Sequence, residues 1–208
     1  ETEEELKKLK KGKKHYSKDL LKLRDNICKQ LKEKYKKDIE VNILADLIDI
    51  DENSEVWRNA VEGYLGNQKF NLIIEPEYFM DAYYIYKNMR KEIYSFGIVD
   101  CERILNAKKS NADNSLADVV VTDNKYADAY IKYLLGRVSR CKDDEEIRKY
   151  NIGITSECML YQGFTVRAIN PENYKIHYIG NRAIEQQIKY REQQLVTLTD
   201  NLTVIKNI

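Results

Sequence analysis

Six basic residues of this chain have the type and spacing to contact phosphate. Lys132, Arg137, Arg140 and Lys142 fall within YIKYLLGRVSRCK, and Arg58 and Lys69 hold comparable places in the earlier stretch WRNAVEGYLGNQK. Ammonium and guanidinium groups clustered in this way touch a nucleic-acid backbone without reading its sequence. The run Asp143 to Glu146 adjoins the second cluster, so a solvated charged face is the competing reading for it.

Other chemistry is poorly served. The chain has no G-x-x-x-x-G-K-[ST] and no G-x-G-x-x-G, and its eight glycines are dispersed. Cys158 has no histidine nearby in the sequence; His177 must approach it in space to activate it. Asp49, Asp51 and Glu52 offer three carboxylates in a short span, but they stand where a helix begins, and capping accounts for them. No nucleophile, base and orienter assemble, so no catalytic residue, cofactor or metal is assigned.

Whatever holds these residues is one globular core with extensions. The chain has 208 residues, of which 43% are hydrophobic and 33% charged. A net charge of +1 excludes a globally basic nucleic-acid binder and leaves room for a local patch. No apolar run approaches the roughly 20 residues that span a bilayer, so no membrane partner is expected. The four cysteines form no CxxC pair and read as reduced thiols of a cytoplasmic protein. The first residue is Glu1, and the chain reads as a segment excised from a longer one.

The two ends share one rhythm. Leu6, Leu9, Tyr16, Leu20, Leu23 and Ile27 step by three and four residues, with Lys13 in the vacant place. Ile184, Ile188, Leu195, Leu198, Leu202 and Ile205 do the same, with Arg191 filling one place. Such narrow seams need a partner helix. Two coiled-coil helices are therefore expected, side by side and antiparallel, over residues 1–40 and 181–208. The first alone would run roughly 60 Å.

Residues 41–180 read as a small α/β globule. Helices are expected from Ser54 or Asn53 to Gly66, after Pro76, from Asp123 or Asn124 to Gly136, and over DDEEIRKY. The stretch 41–50 reads as a strand or a short helix, and strands are expected at FNLIIEP, SFGIVD, VVVTD, VSRC and YKIHYIG, with a hairpin around Gln162-Gly163. NAKKSNADNS (106–115) reads as a flexible loop. Helix, glycine and strand occur twice, at Gly66 and Gly136, as two similar subdomains would produce. Most of the sixteen tyrosines lie at helical spacing on apolar faces and read as core or interface.

Four stretches in this order, flanked by heptads, resemble a known family: WRNAVEGYLGNQKFNLIIEPEYF, SLADVVVTDNKYADAYIKYLLGRVSRC, ITSECMLYQGFTVRAINP and YIGNRAIEQQI. They are similar to the hinge domain of SMC (structural maintenance of chromosomes) proteins. The wording is nearest to the JetC type of SMC-like ATPase found in bacterial Wadjet plasmid-defence systems, relatives of MukB. The resemblance implies an α/β globule of two similar subdomains between antiparallel coiled-coil helices. It implies a homodimer through the hinge, arms leading to ATPase heads outside this chain, and other subunits of the defence complex meeting those outside parts. It implies no chemistry within these residues. Many SMC hinges carry several glycines at the dimer contact, and the corresponding VDCERILNAKKSNADNSLADVV has none. The competing classes are a small nucleotide- or phosphate-handling α/β enzyme domain and a monomeric coiled-coil adaptor.

Overall fold

The helical rhythm of the first forty residues breaks at a glycine. In the computed structural model, helix α1 (Thr2–Lys10) ends before Gly12, whose φ of +76° is costly for any residue with a side chain. An extended link follows. Ser17 then accepts a hydrogen bond from the Leu20 amide at 3.3 Å and starts α2 (Lys18–Tyr35). Glu1, Lys13, Lys109, Asn207 and Ile208 lie outside the described residues, as do the side chains of Thr2, Glu3, Lys8 and 202–206. The seam places given to Lys13, Leu202 and Ile205 therefore go without structural comment.

The expected arm helix over 1–40 is thus two helices with different jobs. Leu20, Leu23, Ile27 and Leu31 of α2 are buried in the core of the globule. Helix α1 packs along the exit helix, whereas α2 packs on α5. A stalk seam and a core-facing stripe have the same spacing, and burial decides between them.

The first half of the globule follows. Strand β1 (Asn42–Ile43), the single turn α3 (Leu44–Leu47) and β2 (Asp49–Ile50) lead to a 3-10 turn, Glu52–Trp57. That turn is capped by Asp51, which accepts from the Asn53 amide at 3.0 Å, so the cap lies two residues before the expected one. Helix α4 (Arg58–Leu65) ends at Gly66, and β3 (Leu72–Ile73) pairs antiparallel with β1. Pro76 opens the turn into α5 (Phe79–Met89), which packs across α2. Ile98 forms a single parallel bridge to Leu72 where a strand was expected, and α6 (Cys101–Asn106) follows.

The second half repeats the idea with a larger sheet. Strand β4 (Val120–Val121) pairs with β2 and joins the halves. Asn124 caps α7 (Lys125–Leu135) by accepting from the Tyr126 and Ala127 amides. Strands β5 (Ser139–Arg140), β6 (Ile152–Ile154), β7 (Met159–Gln162) and β8 (Thr165–Ala168) form one sheet in chain order. Its β5–β6 contact is parallel and the others antiparallel. Gly163 (φ +59°) and Phe164 (φ +63°) make the hairpin turn, two left-handed residues in succession as a type I′ turn requires. Helix α8 (Arg182–Lys206) leaves the globule. One buried apolar cluster runs through both halves.

Three expectations are corrected. DDEEIRKY forms only the short 3-10 turn Glu146–Lys149. YKIHYIG is irregular: its Tyr178 and Ile179 amides bond to the Glu62 carboxylate and its His177 amide to the Gln186 side chain. The end of the segment predicted as a flexible loop, 112–115, instead lies along β5. The Ala112 amide bonds to the Gly136 carbonyl and the Leu116 amide to that of Val138, both at 2.7 Å, while the Arg140 amide bonds to the Asn114 carbonyl at 2.8 Å. This strap covers the β5 edge and leaves β8 as the open edge of the sheet.

Candidate arm junction and basic surface

The chain enters and leaves the globule at one place, and a buried polar network holds it there. Glu62 lies on α4, four residues after Arg58 and on the same face. One carboxylate oxygen of Glu62 accepts from the amides of Tyr178 (2.6 Å) and Ile179 (2.8 Å); the other meets the Lys69 ammonium at 2.6 Å. Lys69 also donates to the Asn173 carbonyl at 2.6 Å, and Arg58 donates to the Ile179 carbonyl at 2.7 Å. Glu62, Lys69 and Arg58 are all buried. They pin the segment 173–179, which carries α8, onto the first half of the globule.

The entry side meets the exit side across the same seat. The Tyr16 ring stacks on Tyr178 at 5.7 Å, and Phe70 stands edge-on to both. Tyr16 donates to Asp46 at 2.6 Å, and Lys14 pairs with Asp46 at 2.9 Å. Burial first, and Asp46 second, raises the Tyr16 phenol far above its ordinary range, so it stays a donor. Gln187, buried on α8, accepts from the His15 amide and donates to the His177 carbonyl. Gly180 turns the chain into α8 with φ +72°, and the Asp49 carboxylate sits where a Cβ would stand. Beyond this neck, Arg191 of α8 pairs with Glu5 of α1 at 3.2 Å and Lys10 pairs with Glu192 at 3.0 Å; from His15 on Gln187 to Glu5 on Arg191 the entry side counts down as α8 counts up, so the two run antiparallel.

The six predicted phosphate contacts separate into three groups. Arg58 and Lys69 are buried and committed to internal partners, so they present nothing to a phosphate; both are corrected to structural roles. Arg140 is half-buried. It donates to the Asn114 and Ser115 carbonyls and lies over the Trp57 ring, which fixes the strap along β5. Lys132, Arg137 and Lys142 are exposed. Lys132 pairs with Asp128 one turn earlier, whereas Arg137 makes no hydrogen bond or ion pair among the described residues.

The remaining candidates have local explanations. Asp49 accepts from the Ile50 amide, Asp51 caps a turn and Glu52 meets Arg182 at 3.3 Å. Among the described residues no group of three metal-ligating side chains converges. Cys158 is buried, and burial pushes its thiol up, away from the reactive thiolate. His177 meets Asn59 at 2.7 Å; burial is the main cause holding its pKa below the usual imidazole value. Among the described residues no helix is long and apolar enough to cross a membrane.

No family model matches the chain, and no curated protein matches it. Solved structures do. An asymmetric dimer of the Geobacillus stearothermophilus SMC hinge domain superimposes with a TM-score of 0.51 at 13% identity, covering 99% of this chain and 85% of the other. The fold is that of an SMC hinge domain. The Pyrococcus furiosus SMC hinge domain aligns at 23% identity over 72% of this chain and 86% of its own, with a TM-score of 0.49. A chain from the folded elbow of cohesin aligns at 13% identity over 99% of this chain and 30% of its own, with a TM-score of 0.53. In this fold, the network around Glu62 is the seat where the segment carrying α8 joins the globule, and β8 is an open sheet edge.

Proposed function

We propose that the chain is the dimerisation hinge of an SMC-like ATPase, joining two coiled-coil arms and performing no catalysis itself. One observation carries this: α1 and α8 meet the globule at one neck, antiparallel from His15 on Gln187 out to Glu5 on Arg191, so the globule is an insert at the end of a stalk. The hinge fold agrees with that geometry, and a hinge of this fold has been solved as an asymmetric dimer. The four quoted sequence stretches favour the JetC type of the Wadjet systems. That reading places the work of the whole protein in anti-plasmid defence, with ATPase heads and other subunits engaged through parts outside this chain.

The partner in the hinge contact is a second copy. Two edges offer themselves: β8, exposed along its length, and residues 97–99, which border an open groove beside Tyr130 and Tyr133. A twofold dimer brings the edge of one half against the edge of the other, twice. Light scattering tests this: a mass near twice 24.6 kDa at micromolar concentration is expected, and a monomer at every concentration overturns it.

DNA contact is a second reading, favoured by the exposure of Lys132, Arg137 and Lys142 within one stretch of the second half. Gel shifts over a salt series check it. R137E with K142E is expected to weaken binding and flatten its salt slope; unchanged binding removes the reading.

A further inference from the structure

A cleft of about 480 Å³ opens between the end of α4, the end of α7 and the β7–β8 hairpin. Two guanidinium side chains line it, Arg137 and Arg167. They come from different elements. Arg137 follows Gly136 directly, where a Cβ would stand 2.2 Å from the Ser110 carbonyl oxygen, so the chain can leave α7 on this course only with glycine at that place. Arg167 lies on β8 opposite Leu160, on the same sheet face as Leu160 and Gln162, which also line the cleft.

The lining is cationic and neutral, with no carboxylate. Neither arginine makes a hydrogen bond or an ion pair with a described residue. Gln68, Gln162, Asn173 and Tyr64 also line the cleft, and their side-chain polar groups are likewise uncommitted among the described residues. Elsewhere the chain pairs its charges readily: Lys132 with Asp128, Lys175 with Glu172, Arg182 with Glu52. Two unpaired guanidinia facing one concave space repel each other, and an anion between them relieves that cost. A guanidinium fork matches the oxygens of a phosphate, and amide donors complete its coordination. The volume lies in the range of small-molecule sites and is too small to admit a duplex.

We propose that this cleft binds a phosphate ester of mononucleotide size, held by Arg137 and Arg167. Its source is either a free nucleotide or the backbone of a single strand. The inference does not rest on the hinge contact, because the neck and the dimer mass make no use of these side chains.

The test is calorimetric titration of the whole chain with three probes: inorganic phosphate, adenosine monophosphate and a short single-stranded oligonucleotide. Binding of at least one ester is expected at sub-millimolar concentration. R137Q and R167Q should each weaken it about tenfold, the loss that follows from removing a charge-assisted hydrogen bond. K22Q, on α2 outside the cleft, should leave it unchanged. Preference for the mononucleotide identifies a nucleotide site, and preference for the oligonucleotide identifies a strand site. The proposal is overturned if no ester binds at millimolar concentration, if only inorganic phosphate binds, or if K22Q weakens binding as much as R137Q does. Light scattering on each variant separates these outcomes from loss of the dimer.

Discussion

Glu62 and Lys69 meet at 2.6 Å with both side chains withdrawn from water. Every remaining polar position on the pair is used, by two amides on one side and two carbonyls on the other. Removing one partner leaves a bare charge in a dry site. Glu62→Ala or Lys69→Ala is expected to cost about 3–5 kcal/mol in a urea titration, far more than loss of an exposed pair such as Lys132 with Asp128. A cost below about 1 kcal/mol removes the network from the account of the neck.

The two glycines that end helices are there for different reasons. Gly66 has a positive φ; Gly136 is right-handed but has no room for a side chain, between the Lys132 and Ser110 carbonyl oxygens. Gly136→Ala pushes the strap off β5 and should destabilise by about 3 kcal/mol. Gly163→Ala, at an open hairpin turn, meets no atom and should cost only about 1 kcal/mol for its left-handed backbone. Thermal melts of the two variants check the order.

Acid should loosen the neck through His177. Burial lowers the pKa of this imidazole, so below about pH 6.5 the unfolded chain binds a proton more readily than the folded one. Stability is then full above that pH and falls as the pH drops towards the folded pKa. Urea midpoints measured from pH 7 to pH 5 should decline, and His177→Asn should decline less steeply. Parallel curves for the two proteins exclude this imidazole as the cause.

The hairpin edge can be tested without disturbing the core. Phe164 is 95% exposed at the turn, and Val166 is exposed on β8. Phe164→Asp with Val166→Lys is expected to shift the light-scattering mass towards one copy while the melting temperature stays within a few degrees. A dimer that survives both changes moves the contact to the edge at residues 97–99.

Much of this architecture was legible in the residues. Asn124 and Gly136 bound α7, Pro76 announces α5, and Gln162-Gly163 marks the hairpin, because caps and turns are local chemistry. The misreadings share a cause: each depended on a contact distant in the chain. Lys69 looks like a surface lysine until the Asn173 carbonyl, 104 residues on, arrives beside it. Leu20, Leu23 and Ile27 keep the stalk rhythm, yet their helix packs on α5. Tyr178 and Ile179 alternate like a strand, yet their amides are taken by Glu62. The cleft between Arg137 and Arg167 was half visible: Arg137 stood out within a cluster, but nothing in the sequence joined it to a hairpin thirty residues away.

The break after α1 makes the two routes out of the globule mechanically unequal. On one side α8 is a single helix through 206, fastened at its root by Asp49 and Gln187. On the other, α1 reaches α2 only through Gly12 and a short extended link. A twist of the stalk therefore reaches the globule through backbone hydrogen bonds on the exit side and through the side-chain anchors of Lys14 and Tyr16 on the entry side.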